Sequence, residues 1–222
     1  AMSHARVYVN GKEAGYWPYG YNSFHLDVTP YLKAGEVNEL AVRLENENES
    51  SRWYPGAGLY RNVHLVVTED AYVPTWGTKI TTPVVKDKFA KVHLETQWNM
   101  PKGKKISDYT IATQILNPEG KQVNADTRPG NELDETLFAQ EFVVRNPKLW
   151  SVEYPHLYTA VSKIYEGDRL VDEYTTRFGI RTLEIIPEKG FFLNGKLTKF
   201  KGVCNHHDLG PLGAAVNDAA IR

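Results

Sequence analysis

Apolar and polar residues alternate one by one through most of this chain, and that period of two limits what it can fold into. The pattern runs through Asn38 to Leu44, through Val63, Leu65 and Val67, through Val92, Leu94 and Thr96, and through Ile111, Thr113 and Ile115. Successive side chains on a β-strand point to opposite faces, so each run describes a strand with one face turned inward. Turn chemistry separates the runs. Asn10-Gly11 and Asn194-Gly195 suit two-residue hairpins, whose central residues need positive φ, while Asn117-Pro118-Glu119-Gly120 and Glu166-Gly167-Asp168 suit longer loops. Asp27 to Pro30, with Gly35, brackets one short helical or turn segment. Short, evenly spaced strands of this kind predict an all-β chain made of sandwiches in tandem.

Two seams, near Asp70 to Pro74 and near Leu183 to Lys189, divide the chain into residues 1–71, 72–183 and 184–222. The middle piece has the length of an immunoglobulin-like domain, with strands expected at Ala90 to Trp98, Tyr109 to Leu116, Leu137 to Val144 and Tyr158 to Arg181. It has no Cys-Trp-Cys framework and so is not of the antibody type. Both ends look cut. Arg6 to Gly11 begins at once on a strand and a hairpin turn, and Val216 to Arg222 starts a helix that stops within about a turn, too short to stand alone. The expectation is a piece of a longer polypeptide.

Composition excludes several classes of function. Lys and Arg number 26 against 27 Asp and Glu, a formal charge of −1 with no basic run, which argues against binding a nucleic-acid polyanion. Cys204 is the single cysteine, so neither an internal disulfide nor a four-cysteine zinc site can form within the chain. No stretch approaches the roughly 18 consecutive apolar residues of a membrane helix.

The densest set of reactive side chains is Lys201-Gly202-Val203-Cys204-Asn205-His206-His207-Asp208, directly after an apolar hairpin from Phe191 to Phe200. On a strand end, His206 and Asp208 would share a face with Cys204, and His207 would face the other way. That arrangement fits a ligand-binding edge. It fits equally a polar strand end bonded to its neighbours, and a metal site or a Cys204–His206 dyad would each want a further convergent group.

A second set is Ser51-Arg52-Trp53-Tyr54-Pro55-Gly56-Ala57-Gly58-Leu59-Tyr60-Arg61. Aromatic faces stack on sugar C–H groups and guanidinium forks grip hydroxyls, so Arg52 and Trp53 are candidate sugar contacts. Gly58 reads better as a turn needing positive φ and Arg61 as a buried structural pair. The rings Tyr16, Trp17, Tyr19, Tyr21 and Phe24 read as a carbohydrate platform or as a sandwich rim. Glu45, Glu47 and Glu49 read as a solvated loop rather than a calcium site.

Longer blocks carry a family resemblance. Val7-Tyr8-Val9-Asn10-Gly11, then Gly15, then Phe24-His25-Leu26-Asp27-Val28-Thr29 resembles the sugar-binding jelly roll that opens the enzymes of glycoside hydrolase family 2, and Ser51 to Val63 resembles the block closing that domain. Leu149-Trp150-Ser151 with Pro155-His156-Leu157-Tyr158 is similar to the end of the family's immunoglobulin-like domain. Arg177-Phe178-Gly179-Ile180-Arg181, Phe192-Leu193-Asn194-Gly195-Lys196 and Lys201-Gly202-Val203 resemble the approach to its catalytic barrel. The resemblance implies a partial jelly roll, an immunoglobulin-like sandwich and the first strand of a truncated TIM barrel.

Gly202 to Gly210, with Leu212-Gly213-Ala214-Ala215, is similar to the β-galactosidase branch, where the first histidine after the Gly-Val segment lines the subsite of the terminal galactose. The resemblance therefore assigns that role to His206, and extends to His207, Asp208, Arg52 and Trp53 as further substrate contacts. It implies a retaining hydrolase of terminal β-galactosides with no organic cofactor and no metal ligands among these residues. It gives no catalytic residue here. The family's two glutamates, one in an Asn-Glu pair, sit on later barrel strands, and residues 184–222 hold no such pair. A galactoside or oligosaccharide is the expected partner, with no nucleic acid and no membrane span. Oligomeric state stays open, and glycan foraging favours the periplasm or exterior. The other readings are a β-glucuronidase or β-mannosidase of the same family, and a stand-alone carbohydrate-binding sandwich.

Overall fold

The computed structural model describes residues 1–49, 57–204 and 219. Among them no helix is long and apolar enough to cross a membrane. The chain divides into two compact units, Ala1–Leu65 with Gly202–Arg222, and Val66–Lys201. All of the sheets are antiparallel, and no closed barrel forms among the described residues.

In the first unit, β1 (Ala5–Val9) lies between β2 (Lys12–Trp17) and β3 (Leu40–Arg43). Ala5, Val7 and Val9 are buried as the alternation requires. The hairpin turns on Asn10 and Gly11 at φ 51° and 78°, the positive values their types allow. Asn10 also ties the turn to the rest of the unit. Its Nδ2 donates to Tyr31 O at 2.9 Å and to Asn38 Oδ1 at 2.8 Å, and its Oδ1 accepts Glu39 N–H at 3.1 Å. The short segment expected after Asp27 is a 3-10 turn, Thr29–Tyr31, begun by Thr29 N–H donating to Asp27 Oδ1 at 2.9 Å. One expected strand is missing. Val63, Leu65 and Val67 are 63%, 75% and 83% exposed and carry no ladder, because an alternating run becomes a strand only where another strand offers its backbone groups.

The second unit is a two-sheet sandwich. Its strands are β4 (Thr78–Lys86), β5 (Phe89–Gln97), β6 (Tyr109–Leu116), β7 (Gln122–Pro129), β8 (Leu137–Arg145), β9 (Tyr158–Glu166) and β10 (Arg169–Phe178). One sheet runs β4-β5-β8 and the other β10-β9-β6-β7. A third, smaller sheet of β11 (Leu183–Ile186), β12 (Gly190–Leu193) and β13 (Lys196–Leu197) follows. Inward residues of the two large sheets meet in two apolar clusters. One holds Val92, Leu94, Ile115, Phe142, Tyr158 and Ile180, the other Trp98, Tyr109, Ile111, Phe138 and Ile164.

The stretch from Tyr158 to Arg181 holds two strands, β9 and β10, which turn at Gly167 with φ 59°, inside the loop expected at Glu166-Gly167-Asp168. Two features depart from the sequence expectation. β4 forms where Pro83 discourages a strand, because the register shifts between Thr81 and Val84 and β4 lies at the sheet edge. β7 is a second edge strand, too polar to show an apolar stripe.

An ion-pair network holds the turn between β9 and β10. Glu166 accepts Lys104 Nζ at 2.7 Å and Arg169 Nη2 at 2.9 Å, and Arg169 Nη1 reaches Glu69 at 3.2 Å. The Lys104 ammonium first, then the Arg169 guanidinium, draw the Glu166 carboxyl from its ordinary 4.5 down to about 2. A carboxylate lowered on folding contributes stability that is present above its unfolded pKa and lost as pH falls toward the folded one. Glu166→Gln should therefore lose less stability than the unsubstituted chain between about pH 4.5 and 2 in denaturant titrations, with the difference shrinking at high salt.

Candidate functional site

The sugar-contact candidates Arg52, Trp53, His206, His207 and Asp208 lie outside the described residues. The described residues that flank them in sequence are as follows. After the first set, Gly58 adopts φ 117° and pairs with Met2, which meets the expectation of a positive-φ turn. Tyr60 Oη donates to Gly20 O at 2.5 Å and Arg61 Nη1 donates to Tyr21 O at 3.2 Å. Arg61 is exposed, with its guanidinium 5.1 Å from the Tyr60 ring centre, so it is a clamp on a backbone carbonyl and not a buried ion pair.

The aromatic set of this unit packs on itself. Trp17 and Phe24 stack at 5.7 Å, Tyr19 and Tyr21 meet tilted at 5.5 Å, and Arg6 lies 4.9 Å over Tyr16. Ring faces spent on one another in this way make a rim more than a flat platform for a sugar. Burial, with Tyr60 and Tyr19 beside it, raises the Tyr21 phenol above its usual range.

Before the second set, three sequence blocks converge on one junction. Trp150 N–H donates to Ile180 O at 2.9 Å, and the Arg181 guanidinium lies 5.3 Å from the Trp150 ring centre. Gly179 is required by contact: a Cβ there would stand 2.7 Å from Trp150 Cβ. Asn194 closes the junction. Its backbone N–H donates to Thr182 O at 3.0 Å, its Oδ1 accepts Thr182 N–H at 3.0 Å, and its Nδ2 donates to Trp150 O at 2.9 Å. Asn194 and Gly195 also turn β12 into β13 at φ 51° and 74°, as expected of that pair. Nearby, Tyr158 Oη accepts Lys148 N–H at 2.9 Å, and burial raises this phenol too. Beyond β13, Lys201-Gly202-Val203, likened above to the approach to the barrel, carries no strand.

The described residues offer little else for chemistry. A groove beside Tyr72, Trp98, Asn99 and Thr136 has its polar groups engaged locally, with Trp98 Nε1 donating to Asp134 O at 2.9 Å and Asn99 Nδ2 to Asp70 O at 2.7 Å. No cluster of three or more His, Cys, Asp or Glu side chains suited to a metal occurs among them.

Comparison with known proteins then bears on the blocks that meet at Trp150 and Gly179. Residues 72–181 match the sequence profile of glycosyl hydrolases family 2. The chain belongs to that family. This family 2 chain is 45% identical over 223 residues to a β-galactosidase of Bacteroides ovatus, covering 99% of the chain and 26% of the relative. It is 36% identical over 221 residues to a putative β-glucuronidase of Formosa agariphila, covering 99% of the chain and 20% of that relative. In three dimensions it superposes on a crystal structure of a family 2 member from Bacteroides cellulosilyticus with a TM-score of 0.88 at 35% identity, covering 99% of the chain and 28% of that structure. The family 2 chain thus spans about a quarter of the length of such relatives.

Sequence reasoning named Trp150, Gly179 and Asn194 only as parts of motifs. Their joint task, closing the end of the sandwich onto the β11–β13 sheet, has no signal in any one block. Asn194→Ala should lose about 1 to 3 kcal/mol in denaturant unfolding, since it removes two side-chain hydrogen bonds and strains a positive-φ position. Asn194→Gly, which relieves only the backbone, should recover part of the loss.

Proposed function

We propose that these residues belong to a retaining β-galactosidase that hydrolyses terminal β-galactosides. The observation that carries the reading is the 45% identity, along 99% of the chain, to a protein named as a β-galactosidase. Family membership supports a carbohydrate substrate, and the histidine after Gly202-Val203 supports galactose in particular by its likeness to that branch.

Retaining hydrolysis needs two carboxylates about 5 to 5.5 Å apart, one to protonate the leaving oxygen and one to attack the anomeric carbon. Asn-Glu pairs occur at Asn38-Glu39, Asn46-Glu47, Asn48-Glu49 and Asn131-Glu132, none of them in the segment 184–222 that the resemblance assigns to the barrel. The glutamates are therefore proposed to lie outside these 222 residues, which alone should not turn over substrate. In the complete enzyme His206 is proposed to share a hydrogen bond with a sugar hydroxyl, one that strengthens as charge develops in the transition state. His207, Asp208, Arg52 and Trp53 are proposed to surround the same sugar. Domain limits of 1–71, 72–183 and 184–222 go with this reading.

A second reading, a β-glucuronidase, is favoured by the 36% identity to a putative β-glucuronidase. The two substrates differ at two positions of the sugar: a galactoside has an axial 4-hydroxyl and a hydroxymethyl group where a glucuronide has an equatorial 4-hydroxyl and a carboxylate. Rates of the complete enzyme on aryl β-galactoside and aryl β-glucuronide should favour the galactoside, and the reverse ratio replaces the first reading with the second. His206→Ala should lower kcat/KM on the aryl galactoside by about tenfold or more, with the thermal midpoint unchanged. Unchanged kinetics would remove His206 from the site.

A further inference from the structure

The core of the Val66–Lys201 sandwich is interrupted by one polar layer. Thr96, Thr113, Gln140 and Ser162 are 0%, 0%, 1% and 2% exposed, and each lies between two buried apolar residues, two positions before and two after it in sequence. Along β5 and the residue that follows it the inward order is Leu94, Thr96, Trp98, and along β8 it is Phe142, Gln140, Phe138. Along β6 it is Ile115, Thr113, Ile111, and along β9 Ala160, Ser162, Ile164. In all four the first residue belongs to one apolar cluster and the last to the other. The layer is thus the seam between the two clusters.

Both edges of the seam are closed by hydrogen bonds between the sheets. At one edge Gln140 Nε2 donates to Asp126 Oδ2 at 3.1 Å and to Asp126 O at 3.4 Å. At the other, Thr78 Oγ1 and Thr176 Oγ1 are 2.7 Å apart. Thr78 pairs with Thr96, and Asp126 pairs with Thr113, which puts these closures at the same level as the layer.

The middle is not closed by the protein itself. Both of Asp126's atoms are acceptors, so the Gln140 amide must present its NH2 to them and leave Oε1 buried on the other side. Gln140 Oε1 and Thr96 Oγ1 have no hydrogen-bond partner among the described residues. Leu94 faces Gln140 and Thr96 faces Phe138, so the two are diagonal neighbours on one sheet face, with Cα atoms roughly 7 to 8 Å apart. Across from them, Thr113 Oγ1 and Ser162 Oγ are 3.0 Å apart. That bond uses one of their two hydroxyl protons. The other still needs an acceptor. Three of the four side chains at this level are Thr or Ser, and Ser162 is flanked on one side by Ala160, so the level is built from small side chains apart from Gln140.

From this we infer that the seam is an internal hydration site. A water molecule held there donates to Gln140 Oε1, bonds Thr96 Oγ1, and accepts the spare proton of the Thr113–Ser162 pair. Three partners are what a buried water ordinarily has. The water completes a polar belt from Thr78 and Thr176 to Asp126 that fixes how the two sheets sit on each other, since sliding one sheet along its strands by two residues, one inward position, would set these groups against apolar side chains such as Leu94 or Phe138. The site stands independently of the substrate proposed above.

A crystal structure of the 222-residue chain that resolves ordered water tests it without any substitution. The expected result is density within hydrogen-bond distance of both Thr96 Oγ1 and Gln140 Oε1. Empty space there, with the Thr96 hydroxyl turned onto a strand carbonyl, overturns the inference. In solution, magnetic relaxation dispersion should count at least one fewer long-lived water in the Thr96→Val/Gln140→Met double variant, while Thr96→Ser, which keeps the hydroxyl, should match the unsubstituted chain. Equal counts in the double variant and the unsubstituted chain also overturn it.

Discussion

The inward alternation of β5, β6, β8 and β9 is the constraint on which the larger unit depends. Val92 and Leu94 on one sheet meet Ile115 and Ala160 on the other, and all are essentially removed from water. Because the period is two, a one-residue slip of any of these strands would turn its whole apolar set outward and its polar set inward. Register is therefore held by the core itself. The turns, the ion pairs around Glu166 and the junction at Trp150 are positioned by strands that have no other choice. The polar seam at Thr96 and Gln140 adds a second condition, because it tolerates only one alignment of the two sheets.

What the sequence made legible follows from how strongly each residue announces its surroundings. β5, β6 and β8 were readable within a residue or two, since each is buried on one face and solvated on the other. The Asn10-Gly11 and Asn194-Gly195 turns were readable because few residue pairs accept two positive φ values in succession. β4 and β7 were not. Both are edge strands whose residues need only half a ladder, so Pro83 and the polar run from Gln122 to Pro129 are tolerated. The run from Val63 to Val67 failed in the opposite sense: it carries the pattern of a strand with nothing described alongside to complete it. Arg61, read as a buried pair, is an exposed clamp on Tyr21 O, a role that depends on a loop 40 positions away in sequence.

The functional side chains divide along the same line. The junction residues Trp150, Gly179, Ile180 and Asn194 are described and packed or hydrogen-bonded to one another. Their arrangement accounts for why those motifs go together, since each supplies a surface or a hydrogen bond that the next one needs. The residues proposed to touch sugar, Arg52, Trp53, His206, His207 and Asp208, rest on sequence likeness, and the two carboxylates that retaining hydrolysis needs are proposed to lie outside these 222 residues. Scaffold and sugar contacts are thus proposed for this chain, and bond cleavage for the rest of a longer polypeptide.

The central claim is that this family 2 chain is part of a retaining glycosidase, and the coding DNA downstream of Arg222 tests it most directly. The account predicts an open frame long enough to complete a barrel, with an Asn-Glu pair and a second glutamate at the ends of later strands. A natural stop codon directly after Arg222 would contradict it and leave a non-catalytic carbohydrate-binding role as the better explanation.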